Sequence, residues 1–111
     1  MIKSTSNKGF QMTFENGITI SVQFGGGNYC ENKHFEYDYP KNHPVVECEN
    51  AEIAIWDKNG EWYDFGTDTV KGWVPANEIA KWIYLASTIN NLNEISELLY
   101  VNLPSLILNL K

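Results

Sequence analysis

The chain has 111 residues, of which 43% are hydrophobic and 14% aromatic, a composition typical of one small globular domain. Its formal net charge is −6, and all eight basic residues are lysines. Residues 28 to 68 hold ten acids against three lysines, so that stretch alone carries a charge of −7. Because nucleic-acid binding needs a basic face and favours arginine, this composition argues against direct nucleic-acid binding.

The sequence also bears on the cellular compartment. No apolar run approaches the roughly 20 residues that a membrane-spanning helix needs. Residues 1–10, MIKSTSNKGF, lack the apolar core of a secretory signal. We therefore expect a cytoplasmic protein with reduced cysteines and no membrane partner, and a flexible N-terminus over residues 1–8.

A β-hairpin is predicted over residues 9 to 24. Apolar and polar residues alternate on both sides of Asn16-Gly17, a pair that tolerates the positive φ angles of a tight turn. The second strand runs into the three glycines 25–27. These lack the spacing and the following lysine of a phosphate-binding loop, so we interpret them as a bend or a close backbone approach.

Residues 28–50 form a long polar segment with an unusual set of side chains. Both cysteines and both histidines of the chain lie there, at Cys30, His34, His43 and Cys48. Two thiolates and two imidazoles can hold zinc in a tetrahedral site, although the spacing matches no common zinc finger. Ordinary reduced cysteines near two exposed histidines are the alternative, and a Cys30–Cys48 disulfide would require an oxidising compartment.

The same segment offers a candidate recognition surface, because tyrosine supplies large, stiff contact area and is enriched at binding hot spots. Aromatic residues there are interleaved with acids, and the alternative is that alternate aromatics pack inward and anchor the loop. The predicted binding residues are Tyr29, Phe35, Glu36, Tyr37, Asp38, Tyr39, Glu47 and Glu49.

A second hairpin is predicted over residues 51 to 65, with its turn at residues 58–60 (Lys-Asn-Gly). An amphipathic helix should begin near Pro75, because Ile79, Trp82, Ile83 and Ala86 recur at helical spacing. Together these elements predict an α+β fold, in which an antiparallel sheet of about four strands is packed by one helix. Residues 9–86 would form this domain.

Residues 87–111 are predicted to form a C-terminal helical extension. Asn93 can cap a second helix, and Pro104 interrupts its apolar stripe. Nine of the thirteen residues from 98 to 110 are apolar, more than a free tail should expose. This segment therefore either folds back over the sheet or forms a subunit interface, and we favour a homodimer or higher homo-oligomer.

No catalytic motif assembles in the sequence. It contains no nucleophile elbow, zinc-protease motif or phosphate-binding loop, and acids near its histidines are expected by chance in so acidic a loop. We therefore predict a protein that is not an enzyme.

Three stretches carry a resemblance: FENGITISVQFGGGNYCEN, AEIAIWDKNGEWYDF and GWVPANEIAKWI. They resemble a group of small, largely uncharacterised proteins of tailed bacteriophages, which share a strand pair of the form FENG-t-SVQFG-GNYC-N. The likeness covers roughly residues 9 to 86 and does not extend beyond residue 87. It brings no catalytic residues with it.

The resemblance implies a small accessory protein that counters host immunity in the bacterial cytoplasm. The favoured mechanism is stoichiometric inhibition of a host defence protein, as in an anti-CRISPR, with the acidic residues 28–68 covering a basic channel. One alternative is sequestration of a nucleotide signal molecule in an aromatic pocket. Another is a zinc-stabilised structural or virion-associated module.

Overall fold

A computed structural model of the chain describes residues 1–5, 8–34 and 47–101, with the backbone alone for residues 100 and 101. The elements described are, in chain order, β1 (Ile2–Ser4), β2 (Gly9–Thr13), β3 (Thr19–Gln23), β4 (Asn50–Trp56), β5 (Lys71–Pro75), α1 (Ala76–Thr88) and α2 (Asn93–Val101). The predicted α+β class is confirmed, with five strands in the sheet where about four were predicted.

The strands form one antiparallel sheet in the order β1-β2-β3-β4-β5, so that each strand pairs with its neighbour in sequence. Its apolar face is aligned across three strands, because Ile20 pairs with both Met12 and Ile55. Side chains alternate between the two faces of a strand. Glu52, Ala54 and Trp56 of β4 therefore lie on the face opposite Ile53 and Ile55.

The predicted hairpin between β2 and β3 is confirmed, and its turn is tied to α1. Gly17 has a φ of 87°, the left-handed conformation expected of this turn. The side-chain amide of Asn16 donates to the carbonyl oxygens of Ala86 at 2.9 Å and Ile89 at 2.7 Å. Its own oxygen accepts from the Ile18 amide at 2.9 Å. One side chain thus satisfies carbonyls at the end of the helix and fixes the hairpin against it.

The first strand differs from the prediction of a flexible N-terminus over residues 1–8. Residues Ile2–Ser4 pair with β2, and the terminal amine of Met1 donates to the carbonyl oxygen of Thr13 at 2.9 Å. Three residues are too few to show an alternating pattern, so the sequence does not reveal this strand. Its stabilisation comes from backbone hydrogen bonds along the edge of β2.

The second predicted hairpin is only partly correct. Its turn forms, with the Asp57 carboxylate accepting from the amides of Asn59 and Glu61 at 2.9 and 3.0 Å. The return strand expected over residues 61–65 is instead an isolated bridge between Trp56 and Trp62. On the side away from β3, β4 pairs instead with β5, at residues just before the predicted start of the helix.

Helix α1 lies against the sheet through the predicted stripe, with Trp82 and Ala86 buried and Ile79 and Ile83 partly buried. It begins at Ala76, one residue after the predicted start. Pro75 is the last residue of β5 and has extended angles, with φ −73° and ψ 161°.

The core continues beyond residue 86. Ile89 and Ile95 are completely buried in the same cluster as Ile20 and Ile53, and α2 begins at Asn93, the residue predicted to cap it. Of the apolar stretch noted over residues 98–110, residues 102–110 lie outside the described residues. Neither described helix is long and apolar enough to cross a membrane.

Candidate functional site

The glycine-rich end of β3 leads into a tight turn, as the sequence predicts. Gly27 has a φ of 87°, and its amide donates to the carbonyl oxygen of Lys33 at 2.8 Å. The side-chain oxygen of Asn28 accepts from the Gly25 amide at 3.0 Å. The glycines therefore act by turning the chain back over the sheet.

Glu52 of β4 holds the residues that follow this turn. One carboxylate oxygen accepts from the Asn28 side-chain amide at 3.3 Å, and the other accepts from the Tyr29 backbone amide at 3.2 Å. A carboxylate is a stronger acceptor than a neutral group. Glu52 thus positions the backbone of Tyr29 beside the last strand of the sheet.

Tyr29 and Trp73 form an exposed aromatic pair, which we call the Tyr29–Trp73 ledge. The Trp73 amide donates to the Tyr29 carbonyl oxygen at 2.8 Å, and the rings stack with centroids 5.7 Å apart and planes 20° apart. The side chains are 42% and 53% exposed, respectively. The Lys33 ammonium lies 5.6 Å from the centroid of the Tyr29 ring, within the range of a cation–π contact.

The backbone beneath the ledge is irregular. Ala51 pairs with Val74 and Ile53 with Lys71, so Gly72 and Trp73 both face Glu52 in a β-bulge. Trp73 has a φ of 49°, a left-handed conformation that costs a residue with a side chain about 1–2 kcal/mol. A Cβ on Gly72 would lie 2.7 Å from the Cβ of Tyr29. The strained tryptophan and the glycine together allow Tyr29 to lie against the strand.

A second aromatic pair lies further along β4. Trp56 and Trp62 stack with ring centroids 4.7 Å apart and planes 25° apart, and Trp62 is 47% exposed. Trp56 shares a sheet face with Glu52 and lies four residues away, about 13 Å along the strand. Exposed aromatic area is therefore present at two places along β4.

Acidic side chains gather beside the turn. Glu31 accepts from the amide of Glu49 at 3.3 Å, and its own amide donates to Asn50 at 2.7 Å. Glu31, Glu47 and Glu49 are exposed and line a small polar depression with Asn32. We call these three glutamates the acidic rim. Glu31 follows Tyr29 by two residues in the chain, so the acidic rim and the ledge belong to one region.

The two cysteines lie together beneath the acidic rim. Cys30 is 1% exposed and Cys48 is partly buried, and both are free thiols. Burial raises the pKa of the Cys30 thiol to about 11. The neighbouring Cys48 and Glu52 add to this rise, whereas the backbone of Asn32 opposes it. The Cys30 thiol donates to the carbonyl oxygen of Gly25 at 3.7 Å. A pKa so high keeps the thiol protonated and poorly nucleophilic at neutral pH.

The structure brings together two of the four predicted zinc ligands, Cys30 and Cys48. His34 is exposed, and His43 lies outside the described residues. Within the described part of the chain, no three His, Cys, Asp or Glu side chains are arranged to hold a metal ion. The four-ligand zinc site stays a prediction.

An apolar groove of about 410 Å³ separates α1 from the sheet near the acidic rim. Its described lining is mostly apolar side chains from β2, β3 and α1, with Glu47 and Glu49 at one side. Lysine is missing from that lining, so the groove suits an apolar group better than a phosphate.

The predicted binding residues divide into two sets. Tyr29, Glu47 and Glu49 lie at the surface beside one another in the fold, as just described. The others lie outside the described residues: Phe35, Glu36, Tyr37, Asp38 and Tyr39. Trp73 was not among the predicted binding residues, because its position just before a predicted helix gave no sign that its side chain would be exposed. The preceding glycine was the available sign of a close backbone approach.

Comparisons of the chain with protein-family models, with curated proteins and with solved structures found no match.

Proposed function

We propose that the protein acts by stoichiometric binding to a basic protein partner, through the Tyr29–Trp73 ledge and the acidic rim. The observation that carries this proposal is the ledge itself. A backbone hydrogen bond joins two large aromatic residues whose side chains are about half exposed, and Trp73 adopts a strained left-handed backbone conformation there. Strain of this kind concentrates at functional sites and persists only where surrounding contacts maintain it.

The chemistry of the ledge favours arginine on the partner. A guanidinium group is planar, weakly hydrated and stacks well on the faces of tryptophan and tyrosine. Glu31, Glu47 and Glu49 supply carboxylates that accept hydrogen bonds from the same group. The chain's net charge of −6 would steer a basic protein towards this region and repel an anionic ligand.

The resemblance to phage proteins gives this binding a biological setting. We propose that the partner is a host defence protein in the bacterial cytoplasm, whose basic nucleic-acid channel the acidic surface covers in the manner of an anti-CRISPR. Sequestration of a nucleotide signal is the weaker alternative, because the 410 Å³ groove has carboxylates and apolar groups in its described lining. The role requires no catalysis by this chain.

A titration of effector activity tests the proposal. DNA cleavage by a guide-loaded Cas effector would be measured at fixed effector concentration with increasing amounts of this protein. We expect activity to fall in proportion to the protein added and to reach its minimum near one chain per effector. Unchanged cleavage would contradict inhibition, and complete inactivation by a small fraction of an equivalent would indicate an enzyme.

We also propose that copies of the chain associate through the C-terminal extension, residues 87–111, in which nine of the thirteen residues from 98 to 110 are apolar. Light scattering coupled to gel filtration should give the full chain a molar mass of about twice 12.7 kDa or more. A mass equal to one chain across the concentration range would contradict this proposal and leave the ledge unaffected.

A further inference from the structure

Hydrogen bonds join the two residues after Cys30 to residues on both sides of Cys48. The side-chain amide of Asn32 donates to the carbonyl oxygen of Glu47 at 3.0 Å and to that of Phe24 at 2.9 Å. Glu31 bonds to the amide of Glu49 through its side chain and to Asn50 through its backbone amide. These contacts fix the base of the segment between the two cysteines.

The two cysteines are neighbours between these contacts, because Cys48 contributes to the raised pKa of Cys30, whose thiol donates to the carbonyl oxygen of Gly25 at 3.7 Å. They differ in access, because Cys30 is 1% exposed whereas Cys48 is partly exposed and lines both the groove and the polar depression. Two neighbouring thiols, one of them open to solvent, are the arrangement in which an exposed cysteine is oxidised and a neighbour resolves it.

We propose that Cys30 and Cys48 form a reversible dithiol–disulfide site. With a peroxide as oxidant, the Cys48 sulfur attacks one peroxide oxygen and the O–O bond breaks, giving a sulfenic acid and one water. The Cys30 sulfur then attacks the Cys48 sulfur, slowly because the Cys30 thiol is mostly protonated at neutral pH. The S–O bond breaks, and a second water leaves with the Cys30 proton. Two electrons pass from the sulfur atoms to the peroxide.

The reverse step needs a reducing thiol such as glutathione. Its thiolate attacks one sulfur of the bridge, and a second reducing thiol releases the mixed disulfide. The site is independent of the proposed partner, since it uses neither aromatic side chain of the Tyr29–Trp73 ledge. The bridge would lie beside Glu31 and Glu47, two glutamates of the acidic rim.

The test is oxidation of the full chain, purified in a reducing buffer and then freed of reductant. The protein would be exposed to a small excess of hydrogen peroxide and studied by intact mass and by non-reducing peptide mapping. We expect the loss of two hydrogen atoms per chain and a peptide in which Cys30 is joined to Cys48. Dithiothreitol should restore the original mass, and the oxidised protein should melt about 10 °C higher than the reduced one.

Cys48→Ser provides the matched control, because the replaced side chain is partly exposed and similar in size. It should give no internal bridge under the same treatment. Recovery of only oxygen-added cysteines, a bridge between two chains, or an unchanged mass in the wild-type protein would each overturn the proposal. Because the decisive readout is the wild-type peptide map, the result does not depend on how well the variant folds.

Discussion

The indole ring of Trp73 stacks on the ring of Tyr29, and the amide of Trp73 donates to the carbonyl oxygen of Tyr29 at 2.8 Å. The two residues are 44 positions apart in the sequence. Tyr29 follows the glycine turn after β3, whereas Trp73 lies in the bulge of β5, at the other side of β4. The sheet therefore assembles the ledge from two segments, neither of which forms an aromatic surface by itself.

Replacing Trp73 should separate the strain of its backbone from the contact of its ring. Trp73→Ala and Trp73→Gly both remove the indole, but only glycine adopts a φ of 49° without penalty. We expect the free energy of unfolding, measured by urea denaturation, to be about 1 kcal/mol greater for Trp73→Gly than for Trp73→Ala. Equal stability of the two variants would show that the left-handed backbone carries no strain.

Asn16 should contribute strongly to stability, because its side chain makes three hydrogen bonds that join the hairpin turn to the end of α1. Asn16→Ala leaves the carbonyls of Ala86 and Ile89 without this donor. We expect the free energy of unfolding to fall by about 2–3 kcal/mol in urea denaturation.

Asn59→Ala is the matched control for Asn16→Ala, since Asn59 also lies in a hairpin turn but is exposed. Its replacement should change the free energy of unfolding by less than about 0.5 kcal/mol. A loss at Asn16 no larger than that at Asn59 would contradict the role assigned to the side-chain clamp.

The raised pKa of Cys30 predicts a loss of stability at high pH. The thiol has an ordinary pKa near 9 when unfolded and a pKa of about 11 in the fold, because burial disfavours the thiolate. The stabilisation is complete below pH 9 and is lost as the pH rises through 11, since the unfolded chain releases its proton first. Urea denaturation across this range should show a fall in unfolding free energy that Cys30→Ala reduces.

Alkylation provides an independent measurement of the same property. With iodoacetamide at pH 8, Cys48 should be modified first, and Cys30 should react only slowly because it is buried and protonated. The order of modification is read from peptide masses. Faster labelling of Cys30 would contradict both its burial and its raised pKa.

The parts of the fold that follow from local pattern were predictable. Asn16-Gly17 between alternating residues specified the first hairpin, and the apolar spacing from Ile79 to Ala86 specified α1. The local sequence pattern could not show which residues pair with β4 on the side away from β3. Trp62, Tyr63 and Phe65 suit a strand, yet Tyr63 and Phe65 pack on Trp82 of α1, with Phe65 at an edge-to-face centroid distance of 5.3 Å. Tyr63 and Phe65 therefore pack against the helix, and the return strand that the sequence predicted for these residues does not form.

Only the part of the candidate site that lies in the segment after the glycines could be predicted from the sequence. An acidic, aromatic segment after the glycines identified Tyr29, Glu47 and Glu49. Trp73 and Glu52 could not be found in the same way, because their roles depend on a bulge and on a contact across the sheet. The proximity of Cys30 and Cys48 was anticipated as a metal-ligand pair, whereas the structure adds the burial of Cys30 and its hydrogen bond to the carbonyl oxygen of Gly25.

The central claim is that the Tyr29–Trp73 ledge and the acidic rim bind a basic protein. Its most direct test is the affinity of the wild-type chain for a guide-loaded Cas effector, compared with Trp73→Ala, Glu47→Gln/Glu49→Gln and Trp62→Ala. Trp62 is a control because it is similarly exposed but lies outside the ledge. All four proteins would be titrated at about 0.05 M and 0.5 M salt.

We expect Trp73→Ala to weaken binding by about 30-fold or more, as at a central aromatic hot spot, and Trp62→Ala to leave it nearly unchanged. The double glutamine variant should lose much of the salt dependence that the wild-type protein shows. Absent binding, affinity that does not fall as salt rises, or equal losses at Trp73 and Trp62 would contradict the account.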